Sequence, residues 1–208
     1  VIVVWLFCCL YLGSISRMED YICMEKNFLS LIKTRRSVRA YKSEPILPSK
    51  ALDAVLETET YAPTGGGHQS PTIIAITYPK YRRKIAKLNA EVMGSNTDPY
   101  YGAPVVILVL AYGSASTYVE DGSCVLENMM LAAYALGLGT VWVHREREIF
   151  DSESGKDLLR EWKLPETLRS VGAIALGYLV HEAGQPAARK QNYIVRTICG
   201  EEGKHADQ

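Results

Sequence analysis

The stretch from Val105 to Ala111, VVILVLA, contains no polar position. Alternate side chains of a strand point to opposite faces of its sheet, so such a run needs apolar cover on both sides and reads as an internal strand. A second segment is equally demanding. Between Cys124 and Leu136, the residues Val125, Leu126, Met129, Met130, Leu131, Ala132, Ala133, Ala135 and Leu136 cover nearly every direction around a helix, interrupted mainly by Glu127, Asn128 and Tyr134. A helix apolar all round must be enclosed on several sides. Either the core of one chain encloses it, or a sheet covers one side and a second subunit the other.

Shorter elements surround these two. Phe28, Leu31 and Ile32 have helical spacing and lead into Arg35. Ala51 to Tyr61 reads as a helix stopped by Pro63, and Thr72 to Thr77 as a short buried strand. Lys80 to Val92 is a helix with charges on its outer face. The all-round apolar helix starts at Glu120 or Asp121 and runs through Ala135. Thr140 to Val143 and Val171 to Leu179 are strands, with an amphipathic helix from Ser152 to Trp162 between them. Asn192 to Ile198 is expected as an edge strand, and the chain from Gly200 as a frayed end.

The chain has 208 residues, with Lys plus Arg and Asp plus Glu balanced at 23 each. One domain is the expectation at this length. The charge balance argues against nucleic-acid binding by bulk charge, and the basic cluster Arg82, Arg83, Lys84 and Lys87 reads as a solvated helix face. The cysteines are Cys8, Cys9, Cys23, Cys124 and Cys199, with no CxxC pair, and the histidines form no HExxH. Neither a disulfide scaffold nor a structural zinc site is encoded recognisably, and a reducing, cytoplasmic setting is the simpler expectation. Residues 1–23 read as an N-terminal extension: an upstream or vestigial leader, an anchor or targeting segment, or a strand or partner contact. The apolar run to Ile15 is shorter than a bilayer-crossing helix needs, so stable membrane association is not expected. Residues 24–200 read as the domain proper and 201–208 as a flexible tail.

Two places carry chemistry. Arg35, Arg36, Ser37 and Arg39 put three guanidinium groups and a hydroxyl within five positions, a set suited to charge-assisted bonding of phosphate, or alternatively to a solvated basic turn. Arg189 and Lys190 could close such a site. The loop Ala62 to Gln69 contains Pro63, Thr64, Gly65, Gly66, Gly67, His68 and Gln69. Glycine permits close backbone approach to a ligand, and Thr64 and Gln69 can bond polar atoms of a heterocycle. A plain glycine turn is the competing reading, since neither GxGxxG nor GxxxxGK[ST] is present.

Taken together, RRSVRAY at 35–41, APTGGGHQSP at 62–71, YGAPVVILV at 101–109, GLGTVWVH at 137–144 after the long helix, and ALGY at 175–178 resemble the nitroreductase family in order and spacing. The resemblance runs from about Phe28 to Ile198. It implies an α+β fold, a mixed-sheet sandwich with a long central helix in an intertwined homodimer. It also implies FMN as cofactor, NADH or NADPH as electron donor, and a small-molecule acceptor such as a nitroaromatic or quinone. By the same resemblance, Arg35, Arg36, Ser37 and Arg39 hold the FMN phosphate and ribityl chain, with Arg189 and Lys190 near the phosphate. Pro63, Thr64, Gly65, Gly66 and Gln69 match a loop brought to the flavin, often across the dimer interface. Val141, Trp142, Val143 and His144 match a strand end beside the isoalloxazine ring, and Leu176 and Gly177 a second strand-derived boundary.

This sequence departs from the family's glycine loop at Gly67, where Asn is usual, and at Ser70 and Pro71, where Pro-Trp is common. The resemblance requires no protein nucleophile, because the flavin carries the chemistry. A flavin-binding or storage protein without significant turnover is the alternative reading, and a structural or interaction domain a further one.

Overall fold

The computed structural model describes residues 28–44 and 49–195. The elements follow the chain as α1 (Phe28–Thr34), α2 (Ser49–Glu59), a 3-10 turn at Gly65–Gly67, β1 (Pro71–Ile76), α3 (Pro79–Met93), β2 (Val105–Tyr112), α4 (Tyr118–Ala135), β3 (Gly139–Val143), α5 (Glu146–Asp151), α6 (Glu153–Glu161) and β4 (Leu168–Gly177). The strands form one sheet in the order β1-β2-β4-β3. Every neighbouring pair is antiparallel. The mixed sheet expected is thus antiparallel in its four strands, and the one parallel pairing among the described residues is the isolated bridge of Ser37 to Thr140 outside them.

The apolar run of β2 is explained by cover on both faces. Val106, Leu108 and Leu110 pack with Val141, Val143, Ala173 and Ala175 beneath Ile85 of α3, Phe150 of α5 and Leu158 of α6. Val105, Ile107 and Val109 pack with Ile174 and Leu176 beneath Val125, Leu126 and Met129 of α4 and Val55 of α2. Two helical layers thus enclose the sheet, and the antiparallel β2 is as fully buried as a parallel central strand.

The register shifts where Val109 faces Gly172 while Leu110 faces Ser170. Val171 is the extra residue of this bulge, so Val171 and Gly172 both turn toward α4. The indole of Trp142 fills the space at Gly172, where an added Cβ would lie 2.4 Å from Trp142 Nε1.

Helix α4 starts two residues earlier than its sequence pattern indicates, at Tyr118. It buries Val125, Leu126, Met129, Met130 and Ala133 on the sheet, while Cys124, Leu131, Ala132 and Ala135 on its other side remain half-exposed. Helix α5 has no clear sequence signal, being six residues long and rich in charge. Ser152 caps α6 by accepting from the Gly155 N–H at 3.4 Å. The edge strand expected at Asn192 to Ile198 is corrected: Gln191–Tyr193 is a 3-10 turn, and Ile194 and Val195 are exposed and belong to no strand. Side-chain alternation alone cannot create a strand where no sheet edge receives it. Residues 196–198, the N-terminal extension expected at 1–23 and the tail expected at 201–208 lie outside the described residues.

Candidate functional site

The basic segment is an extended strap pinned across one end of the sheet. The Val38 N–H donates to Thr140 O at 2.9 Å and the Lys42 N–H to Tyr178 O at 3.0 Å. Tyr41 bridges Leu179, and its hydroxyl donates within reach of Val38 O at 2.7 Å and Ala175 O at 3.2 Å. Close approach sets the residues beneath the strap. A Cβ on Gly139 would lie 3.0 Å from Val38, and one on Gly177 would lie 2.8 Å from Pro104 and 3.0 Å from Tyr41. Val38 is buried, and alternation about it turns its neighbours Ser37 and Arg39 outward, both exposed.

The three arginines of the strap differ. Arg36 closes α1: its guanidinium donates to Lys33 O at 2.7 Å and to Arg35 O, satisfying carbonyls that the helix end leaves free. Arg35 Nη1 is buried with no hydrogen-bond partner among the described residues. Arg39 is exposed, 6.0 Å from the centre of the Tyr101 ring. An anion placed against Arg35 would satisfy its orphaned donor, which is the chemistry a phosphate requires. Arg189 bonds its own neighbour Ala187 O, and Lys190 lies 5.1 Å from the Tyr193 ring; both are exposed.

The glycine loop is anchored elsewhere, on the first turn of α4. The Gly65 N–H donates to Asp121 Oδ1 and the Ser70 hydroxyl to Asp121 Oδ2, each at 2.8 Å. Burial acts to raise the Asp121 carboxyl, but the bonds from Gly65, Ser70 and Thr117 outweigh it and hold the group below its ordinary value. Thr64 Oγ1 accepts from the Gln69 N–H at 3.0 Å, holding Gln69 at a φ of 50° with its side chain exposed. Gly66 and Gly67 take φ of 60° and 69°, and nothing lies within 4 Å of a Cβ added at Gly67. Where the usual Asn is missing, the loop is open. His68 is exposed, its ring lying over Gly66.

Val141 and Val143 are core residues, 3% and 5% exposed, and Leu176 is fully buried. Trp142 faces α4, and His144 is exposed at the strand end. The alternation that turns Thr140 C=O toward Val38 turns the peptide groups of Trp142 to the same outer edge of β3. That edge can address a ligand through its backbone, with the side chains remaining in the core.

Strap and glycine loop do not meet along one chain. Thr34, next to Arg35, accepts from the Tyr134 hydroxyl at 3.1 Å, whereas the loop is fastened to Asp121. Thirteen residues of α4 separate those anchors, about 20 Å at 1.5 Å per residue. Sequence reasoning passed over Asp121, read only as a helix start. Its signal was a carboxylate opening an otherwise apolar helix.

Comparison with known proteins places the sequence and the fold. The sequence model described as the Nitroreductase family matches residues 32–178. An Archaeoglobus fulgidus protein, provisionally named an NADH dehydrogenase/NAD(P)H nitroreductase, is 28% identical over 154 residues, covering 72% of this chain and 84% of that protein. A Bacteroides fragilis nitroreductase crystallised with bound FMN superposes with a TM-score of 0.74 at 28% identity, covering 83% of this chain and 99% of that one. A Desulfitobacterium hafniense nitroreductase, also with bound FMN, shares the fold at a TM-score of 0.72 and 20% identity, over 82% and 97% of the two chains.

Proposed function

Since the chain belongs to the nitroreductase family, we propose that it is an FMN-dependent NAD(P)H oxidoreductase acting on electron-poor small molecules, nitroaromatics and quinones among them. The observation that carries this reading is Arg35, a buried guanidinium nitrogen without a partner on a strap whose Ser37 and Arg39 face outward. When bound, FMN supplies acceptance of hydride from NADH or NADPH at N5 and delivery of the reducing equivalents to the acceptor.

The residues of this chain bind and orient. Arg35, Ser37 and Arg39 hold the phosphate and ribityl hydroxyls, while Arg36 fixes the start of the strap by closing α1. The outer peptide groups of Trp142 and the exposed His144 would hold the ring, and the Trp142 N–H would supply a donor that favours negative charge there. The opening at Gly67 would leave room for an acceptor.

The same reading makes the active species a homodimer. One chain holds its strap and glycine loop about 20 Å apart along α4, so a loop that reaches the flavin comes from a second copy. The half-exposed Cys124, Leu131, Ala132 and Ala135 on the outer side of α4 supply the apolar surface for that pairing.

An absorption spectrum of gently purified protein, with cofactor identification after denaturation and anaerobic addition of NADH or NADPH, tests the function. Released FMN and bleaching on donor addition are expected. Flavin that stays oxidised with every donor returns the protein to a storage role, and failure to take up FMN after reconstitution overturns the proposal.

A further inference from the structure

One polar cluster lies inside the core behind the end of β3. Glu146, in the first turn of α5, is fully buried. Its Oε1 accepts from Asn89 Nδ2 at 2.8 Å and from the Tyr100 hydroxyl at 2.9 Å. The same Asn89 amide nitrogen donates to His144 O at 3.0 Å. Asn89 of α3 therefore holds the residues on both sides of Arg145. Arg145 itself takes φ 85° and ψ −1°, a left-handed conformation that a long side chain adopts only when its surroundings impose it.

The cluster is incompletely satisfied: Glu146 Oε2 and Asn89 Oδ1 are buried without a hydrogen-bond partner among the described residues. An ionised carboxylate with one oxygen unpaired is costly in such a place, so the acid is retained in its neutral form. Burial raises Glu146 to about 8, against the lowering effect of Tyr100, its own backbone N–H, Asn89 and Arg145. Tyr100 is itself pushed well up, chiefly by burial. Among the other charges, Arg82 stacks on the Tyr100 ring at 5.4 Å and pairs with Asp98. Arg169 of β4 pairs with Asp151 at the far end of α5, and Lys156 of α6 also acts on Asp151. Arg147 Nε is buried without a partner one residue beyond Glu146.

We propose that Glu146 is a proton-dependent positioning residue, clamping the His144–Arg145 turn through Asn89 so that loss of its proton loosens the edge of the flavin site. Among the described residues no hydrogen bond reaches ionised Oε2, and beyond Tyr100 and Asn89 the only donor acting on the carboxyl is the residue's own N–H. Relief comes only by admitting water or by drawing in a cation such as Arg147, and either change moves the turn. The part of this inference that concerns flavin rests on the function proposed above, whereas the clamp and its titration belong to the chain alone.

The experiment uses the full chain, first without cofactor. Histidine-ring NMR and amide exchange at residues 144–146 are followed from pH 6 to 10 in the parent and in Glu146→Gln, whose amide oxygen accepts from the same donors. A transition near pH 8 at His144 and Arg145 is expected in the parent and absent in Glu146→Gln. Its absence in the parent, or its persistence in the variant, overturns the proposal. Should Glu146→Gln fail to fold, Tyr100→Phe serves instead: loss of a bond that favours the ionised form moves the transition to higher pH, and an unmoved midpoint is contrary. With FMN bound, the rate of bleaching by NADH should fall about tenfold between pH 7 and 9 in the parent, as for one group titrating near 8, and stay level in Glu146→Gln. Equal profiles remove the link to the flavin site. If no flavin binds at all, the function proposed above fails while the cofactor-free titration still decides the clamp.

Discussion

The backbone N–H of Gly65 donates to the side chain of Asp121 at 2.8 Å, tying the glycine loop to the first turn of the longest helix across 56 positions of sequence. The other carboxylate oxygen takes the Ser70 hydroxyl, so one side chain holds both ends of the loop. Asp121→Ala should lower stability by about 1.5–3 kcal/mol, the range for bonds to a charged group, and weaken FMN retention if the loop faces flavin. Urea unfolding and FMN titration measure the two effects. The group's pKa is depressed on folding, so its contribution is complete above the unfolded value of 3.8 and is lost as pH falls through the lower folded value. Asp121→Asn should therefore flatten the acid limb of the stability curve, and an unchanged limb would show that the carboxylate is not the anchor.

The strap arginines separate by the same logic. Arg35 offers a buried donor that none of the described residues uses, whereas Arg36 is committed to the carbonyls ending α1. Arg35→Ala should weaken FMN binding by about 1.5–3 kcal/mol, roughly 10- to 150-fold, with little change in melting temperature. Arg36→Ala should do the reverse, lowering the melting temperature more than the affinity. Isothermal titration with FMN beside thermal unfolding distinguishes them, and equal affinity losses would contradict the division.

Much of this architecture was legible because the apolar patterns have few solutions. VVILVLA pointed to an internal strand, and the apolar helix after Cys124 to enclosure on several sides, by the core of one chain or by a sheet and a second subunit. The sequence did not disclose how the strands pair, because antiparallel and parallel central strands look alike when both faces are covered. Nor did it disclose α5, whose six residues are too few to show a period. At the site, the motifs located strap and loop, but not that Arg36 closes a helix or that Val141 and Val143 point into the core. Asp121, Asn89 and Glu146 act across 46 to 57 positions of sequence, and no local pattern reports such contacts.

The bulge at Val171 makes Gly172 a packing residue. An added methyl would meet Trp142 Nε1 at 2.4 Å and Leu126 Cδ1 at 3.3 Å, and the indole is hemmed in by α4. Gly172→Ala should destabilise the fold by about 1–3 kcal/mol through overpacking and shift the Trp142 fluorescence. Equilibrium denaturation followed by tryptophan emission tests this. The double variant Gly172→Ala with Trp142→Phe should recover part of the loss, because the shorter ring vacates the space where the methyl clashes; no recovery would place the strain elsewhere.

Glu59 closes α2 with its carboxyl buried, 1% exposed, and neither oxygen has a hydrogen-bond partner among the described residues. Burial alone raises it to about 9 from 4.5. The folded state therefore binds a proton that the unfolded state releases, and this group's effect on stability becomes less favourable as pH rises from 4.5 to about 9, levelling beyond. Glu59→Met replaces the carboxyl with an apolar chain of similar length and removes that dependence. It should stabilise the protein at pH 8 by about 1–4 kcal/mol, and by less at pH 5, where the unfolded acid is itself partly protonated. Denaturation midpoints of parent and variant at the two pH values give the comparison. A gap that narrows toward pH 8 would mean that Glu59 has found a cation or water, and that its isolation beside the glycine loop is not what sets its proton affinity.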